Sequence, residues 1–526
     1  MSAEDSGGRL TPAREAVLAG LAVLALHALV RITVAPGAFQ DDAIYLGLGK
    51  ALATGDGWRS IYAAGQPVHL KYPPGLPTIY ALAWVMGRNL AGALPLVEAF
   101  HLGVSGLVGG LLWWIARSRF ALGRGAAVVA LLPLGLVSVV DHFQLPIAEG
   151  PFVATWLAAV ALALGPLSTQ RAVGLGLLLA ATALLRTQGV AVIGGVLGGL
   201  LLAGRDRRAV AVATAVSLLP LLAWWGLHSW LVARGPISTQ PDEAPYMAGL
   251  GTGGATLPAA LARASWLNLR AYADVVPHEL GPDGLGKALF ALGLVLAAGG
   301  AVRGKRWLAP LSGSLALSAA LILAWPYTQP RFILALLPVA VLLVPLGWQH
   351  LMAKVPRRVS IGLAVVLVAM VALWQPVIRR AAFTPLPTAQ IGFQPVGRTL
   401  VANTDWMLAV APWVARHASP RARIFTEGAA GVWLVTGRVG VAALPPVSSI
   451  GPPQWDPLPV GYLGQRIVAD SVTVVIASSP PVAGFVARVE RVCPGTLVLA
   501  EQIGSRAVAY GVTDSGRACL RAASTH

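Results

Sequence analysis

Long apolar runs, each on the order of 20 residues and separated by short basic loops, fill the first 380 residues, and a run of that length is what one helical crossing of a bilayer requires. In lipid every backbone N–H and C=O must be bonded internally, so such runs fold as helices. Spans fall near 15–34, 92–116, 120–140, 148–167, 171–185, 188–204, 208–232, 286–302, 306–325, 332–349 and 358–378, eleven in all. The run at 75–88 begins just after Pro73-Pro74, ends at Gly87-Arg88-Asn89, is short for a crossing and reads as re-entrant or juxtamembrane. With 56% hydrophobic and 12% charged residues and a mean hydropathy of +0.69, the chain holds more apolar surface than soluble cores hide. The expected fold is mainly α, a polytopic membrane protein.

A net charge of +17 would suggest nucleic acid in a soluble protein. Here the cations sit in alternate loops: Arg117/Arg119/Arg124, Arg171, Arg205/Arg207/Arg208, Arg303/Lys305/Arg306 and Lys354/Arg357/Arg358, with Asp206 the only acid among them. That is the positive-inside pattern of a chain whose N-terminus is cytoplasmic, and nucleic acid is not an expected partner. Counting 75–88 as a span would put every later cluster outside. The run 15–34 reads as a retained span, because Arg31 interrupts it and no small-residue cleavage site follows. The same arithmetic places Asp41, Asp42, Lys71, Asp141, Glu149, Arg186, the loop 234–285, Arg331 and everything after about 380 on the extracytoplasmic side of the cell membrane.

The expected division is a transmembrane unit, 1–380, whose first extracytoplasmic loop is 35–91, and a soluble unit, 381–526. In the latter, short β-branched runs such as Arg423-Ile424-Phe425-Thr426, Val472–Ile476 and Thr496–Leu499 are bounded by Gly, Pro or Ser, with helical stretches at about 403–417 and 481–491. This is an α/β pattern. The Pro- and Gly-rich stretches 380–400 and 441–460 read as linkers. Cys493 and Cys519 are the only cysteines; they form either a disulfide, which an oxidising compartment permits, or two reduced buried thiols.

Acid is scarce in this chain, which singles out Asp41-Asp42 where the first span ends. The apolar positions Ile44, Tyr45, Leu48, Ala51 and Leu52 and a Gly55 stop predict an interfacial helix with one of the two aspartates as its N-cap. One Asp suffices for capping, so the other is free for chemistry. Lys71 precedes Tyr72-Pro73-Pro74, whose stiff backbone fixes it at the boundary of water and lipid; there it either meets an anion or snorkels. Asp141, His142 and Glu149 flank one inter-span connection. Glu149, at the mouth of a span, needs partners, and Arg186 and Arg331 lie at the same level. Arg331 follows Pro330, which breaks the helix and turns the guanidinium toward an anion or toward Glu149. Glu98 and His101 share a helix face inside the second span, a packing role, and nothing nearby has metal-ligand spacing. Glycines at 103–110 and 189–199 have helix-packing spacing and lack the Lys-Ser/Thr of a phosphate loop.

Taken in order, Phe39-Gln40-Asp41-Asp42-Ala43-Ile44-Tyr45, Ala53-Thr54-Gly55-Asp56-Gly57, Lys71-Tyr72-Pro73-Pro74-Gly75, Glu149-Gly150-Pro151-Phe152, Arg186-Thr187-Gln188-Gly189 and Pro330-Arg331-Phe332-Ile333-Leu334 resemble the family 39 glycosyltransferases of GT-C architecture. That family includes the protein O-mannosyltransferases and the bacterial lipid A aminoarabinose transferase. The resemblance implies transfer of a sugar from a polyprenyl-phosphate donor to an extracytoplasmic acceptor. It implies Asp41 as the catalytic acidic residue, with Asp42 beside it, Lys71 and Arg331 as phosphate contacts, and Glu149 as a second acidic residue. Asp42 stands where the family commonly has Glu, a Tyr separates Lys71 from its prolines, and the tail lacks β-trefoil repeats.

The residues fit that chemistry without the name. A glycosyl phosphate already carries its leaving group, so transfer needs a base for the acceptor hydroxyl and cations for the phosphate, and direct displacement inverts the anomeric centre. No cofactor is required, although a divalent ion is compatible. The rival reading is a carrier for a lipid-linked sugar or anion; it expects charges near the midplane and inverted repeats, whereas these charges gather at one surface.

Overall fold

The computed structural model describes residues 11–31, 34–237, 256–326, 329–383, 396–442, 460–478, 480–504 and 507–523. Most of the two expected linkers, and residues 238–255 of the loop 234–285, lie outside the described residues. Among the described residues, seven helices are long and apolar enough to cross a membrane, from Pro12–Leu29 to Arg357–Ile378. One pair, Val137–Gln144 and Glu149–Ala163, is apolar enough only when taken together and is bent by 100°, and three shorter apolar helices are Gly75–Gly87, Thr169–Leu185 and Gly189–Leu202. The protein is a polytopic, mainly helical membrane protein.

The span expected at 120–140 is not one helix. It is broken into Arg124–Val129, a 3-10 turn Leu132–Gly135 and Val137–Gln144, because Pro133 removes a backbone donor in the middle of the run. The broken segment still covers the depth of the first span. Arg124 pairs with Glu15 near the start of Pro12–Leu29, and the Gln144 amide donates to the His27 carbonyl near its end. Those two anchors are roughly 18 Å apart at 1.5 Å per residue.

Small residues let helices touch. A Cβ on Gly199 would stand 2.4 Å from the Ala309 carbonyl carbon and one on Gly195 2.3 Å from the Ser314 Cα, so Gly189–Leu202 and Ala309–Ala324 meet backbone to backbone. The glycines of the second span do the same against the first, where a Cβ on Gly110 would come within 3.1 Å of the Ala16 carbonyl oxygen.

Two expectations about the first loop need correction. The helix Asp41–Thr54 is not a surface-lying amphipath, since Asp42 through Gly49 are all buried. It is enclosed by Gly75–Gly87 on one side and by Ala429–Thr436 of the C-terminal part on the other. Neither aspartate is its N-cap. That position belongs to Gln40, and both carboxylates lie in the first turn, which is favourable beside the positive end of the helix dipole.

The C-terminal part carries a five-stranded sheet in the order β2-β1-β3-β5-β4. β1 is Arg423–Thr426, β2 Val439–Ala442, β3 Val474–Ala477, β4 Leu497–Ile503 and β5 Ala507–Val512. β2, β1 and β3 are parallel, with helices as crossovers, and β5 runs antiparallel to both neighbours. Cys493 and Cys519 are disulfide-bonded, with Cα atoms 5.7 Å apart, and tie the helix Pro480–Val492 to Asp514–Ala523.

Candidate active site

Three breaks in the membrane helices meet at one level and bring charge together. The first is the start of Asp41–Thr54, the second the start of Glu149–Ala163, the third the Pro330 break before Phe332. Arg331 donates to the Asp41 carboxylate at 2.6 Å and lies 3.6 Å from Glu149. Glu149 also pairs with Arg186, at the end of Thr169–Leu185. Two carboxylates therefore share two guanidiniums, all largely buried. Phe332 lies between the cations, with its ring 5.2 Å from the Arg186 guanidinium and 5.4 Å from that of Arg331, and Phe39 covers Arg331 at 5.1 Å.

A cleft of about 530 Å³, counted to its open mouth, runs along this cluster. Asp41, Glu149, Arg186 and Arg331 form its polar wall, and Leu321, Ile322 and Trp325 its apolar one. Asn268 fixes that apolar wall by donating its side-chain amide to the carbonyls of Ile322, Leu323 and Trp325, where the helix Ala309–Ala324 ends.

The environment decides which carboxylate stays ionised. Burial works to raise Asp41, but Arg331 and Lys71, with help from the Tyr72 hydroxyl, hold it down to about 2. Burial pushes Asp42 up to about 6, against the backbone N–H of Gly37 and its neighbours. That carboxylate is turned away from the cleft and accepts the Gly37 N–H at 2.7 Å. Of the two adjacent aspartates, Asp41 lines the cleft and Asp42 does not.

Asp41, Glu149, Arg186 and Arg331, expected at one level from the sequence, line one cleft. Lys71 is beside it: its ammonium stands 5.1 Å over the ring of Tyr72, which lines the cleft. Asp141 and His142 are buried behind it, His142 meeting Phe39 edge to face. His101 keeps its packing role, buried and bonded to the Tyr80 hydroxyl at 2.6 Å, whereas Glu98 instead forms an exposed ion pair with Arg31 at 2.5 Å. Tyr45 and Tyr72, with tilted rings whose centres are 4.6 Å apart, were not expected as site residues from the sequence, yet both line the cleft. The signal was available for Tyr45, which is four residues after Asp41 and so on the same helix face. No group of three or more His, Cys, Asp or Glu side chains gathers among the described residues in a way that could hold a metal.

The architecture is that of known membrane transferases. ArnT from Cupriavidus metallidurans in the apo state superposes with a TM-score of 0.56 over 96% of this chain and 98% of that one, at 14% identity. The same protein bound to undecaprenyl phosphate gives 0.55 over 96% and 98%, at 13% identity. This is the GT-C fold. The oligosaccharyltransferase of Archaeoglobus fulgidus, in complex with zinc and sulfate, matches with a TM-score of 0.51 over 89% of this chain and 68% of that one, at 14% identity. No family model matches the chain, and no curated protein sequence does.

Proposed function

We propose that this protein is a GT-C glycosyltransferase that moves a sugar from a polyprenyl-phosphate donor to an extracytoplasmic acceptor, with Asp41 as the base. The observation that carries the reading is the Asp41–Arg331 pair at the head of an apolar-walled cleft. A buried carboxylate and a guanidinium in contact are a closed pair until an anion arrives. A donor phosphate is a better partner for Arg331, and for Lys71 nearby, than a single carboxylate is. As those cations turn to the phosphate, Asp41 loses what holds its proton affinity down and becomes able to take the proton of an acceptor hydroxyl. The cations then receive the charge that develops on the departing phosphate. Attack on the anomeric carbon from the side opposite the phosphate forms the glycosidic bond, breaks the sugar–phosphate bond and inverts the centre.

In this reading the isoprenoid chain lies along the apolar wall of Leu321, Ile322 and Trp325. One of the matched structures is a complex with undecaprenyl phosphate, which is consistent with a donor of that class. The N-terminus is cytoplasmic and the C-terminal part extracytoplasmic. The basic loops support this, and so does a disulfide that belongs in an oxidising compartment. The acceptor is a hydroxyl of a cell-envelope glycan, lipid or protein. Incubating purified protein with a panel of labelled polyprenyl-phosphate sugars and scoring release of polyprenyl phosphate tests the reading. Turnover of at least one donor is expected, and binding without turnover of any would favour a carrier.

A further inference from the structure

The turn that leads into Asp41 is strained. Gln40 has φ 67° and ψ −53°, and the Asp41 N–H bonds back to the Phe39 carbonyl at 2.9 Å, a γ-turn of the rare positive-φ kind. A non-glycine residue holds such a conformation only where its surroundings leave no alternative. If Gln40 relaxed to negative φ, the first turn of Asp41–Thr54 would swing and carry Asp41 off Arg331.

The turn's backbone on the N-terminal side is held from the far end of the chain. The Asn403 amide donates to the Ala38 carbonyl at 2.7 Å, and the Ala35 N–H donates to the Thr404 hydroxyl at 3.2 Å. Gly37, with φ 90°, is pressed against Gly431: a Cβ on Gly37 would stand 2.4 Å from the Gly431 Cα. Past the helix, the Gly440 N–H on β2 bonds to the Tyr62 carbonyl at 3.0 Å. The Lys50 ammonium lies 4.9 Å from the ring of Trp433 and 5.4 Å from that of Trp84. The C-terminal part thus grips the first loop ahead of, along and beyond the helix that carries Asp41. Within the loop, Asp42 anchors this turn through the Gly37 N–H, and Phe39 packs against Arg331 and His142.

We propose that the C-terminal part completes the active site, with Asn403 and Gly431 acting as positioning residues that clamp the Gln40 turn and so aim Asp41 into the cleft. The inference rests on the reading of Asp41 as the base.

The test uses the full chain with a donor that the wild type turns over, and reads kcat, donor affinity and thermal midpoint. In Asn403→Asp a carboxylate faces the Ala38 carbonyl where a donor stood. Its kcat is expected to fall about 10- to 100-fold, as for a small misplacement of a reacting group, with donor affinity and thermal midpoint near wild type. Gly431→Ala, which crowds Gly37, is expected to act in the same direction and serves if the first variant does not fold. The decisive arm is the double variant with Gln40→Gly. Glycine takes positive φ without a steric penalty, so the turn no longer needs its clamp and most of the lost kcat should return. A general loss of packing would not be rescued at that position. Unchanged kcat in both single variants, or a loss that Gln40→Gly does not recover, overturns the proposal. Asp41→Asn assayed alongside separates the two claims. If it is inactive while the clamp variants are fully active, only the clamp fails; if it turns over normally, the role of Asp41 itself fails.

Discussion

At the start of the first span, Glu15 commits one carboxylate oxygen to Arg124 and the other to Arg117 and the Trp113 indole, at 2.8 to 3.3 Å. Beyond the other end of that span, Asp41 and Glu149 divide Arg331 and Arg186 between them, and a cleft runs along the cluster. Both clusters hold buried acid against arginine, and both satisfy the need of a charge that has left water. They differ in what else is within reach. Around Glu15 the partners belong to one acid, and together they pin the basic connection 117–124 to the first helix. Around Asp41 the cations are shared between two acids and are reachable from an apolar-walled opening, so an incoming anion can compete for them. A buried ion pair is therefore evidence of a site only when the surroundings leave room for a third party.

The largest effect separating the two clusters is on chemistry. Asp41→Asn should lower turnover about 10³-fold or more, the scale of a lost general base, because the amide keeps the shape of the side chain and cannot take a proton. Steady-state assays with the active donor check this, and near-wild-type turnover would remove Asp41 from the mechanism.

Next in size is donor affinity. Arg331→Gln, and separately Lys71→Met, should weaken donor binding by about 1.5–3 kcal/mol, the value of a charge-assisted hydrogen bond. Arg331→Lys should recover only part of this, since a point charge cannot reproduce a fork. The same assay on Glu15→Gln sharpens the comparison. That variant should lower the thermal midpoint and the yield while leaving donor affinity unchanged, and weaker donor binding there would erase the distinction between the clusters.

The smallest effect concerns Asp42. Its carboxyl is raised in the folded protein to about 6, from 3.8, so the folded state binds the proton more tightly than the unfolded one. The stability this contributes is fully present below pH 3.8 and is lost as pH rises through about 6. Asn mimics the protonated form and still offers the Gly37 N–H an oxygen. Thermal melts of Asp42→Asn and wild type should coincide near pH 4 and diverge above pH 6, with the variant the more stable. A constant gap at all pH values would show that folding does not shift the Asp42 carboxyl.

Much of this was legible in the sequence, for identifiable reasons. Apolar runs and basic loops depend on local composition, so most spans and the common level of Asp41, Glu149, Arg186 and Arg331 could be read directly. The break at Pro133 was visible as a residue, but its consequence was not, because the broken segment is held by contacts with Glu15 and His27 from another helix. The stripe from Ile44 to Leu52 suggested a surface helix, and what buries its other face is Ala429–Thr436, nearly 400 residues away. The direction in which the helix carrying Asp41 enters depends on the backbone at Gln40, whose positive φ no side-chain pattern announces.

The central claim is that Arg331 is held by Asp41 until a phosphate takes it. Equilibrium binding of undecaprenyl phosphate to the wild type, Asp41→Asn and Arg331→Gln tests this most directly. Removing the competing carboxylate should free the guanidinium, so Asp41→Asn is expected to bind the phosphate at least as tightly as the wild type, while Arg331→Gln binds it about tenfold or more weakly. Equal affinity in all three proteins, or a loss in Asp41→Asn matching that in Arg331→Gln, would contradict the account.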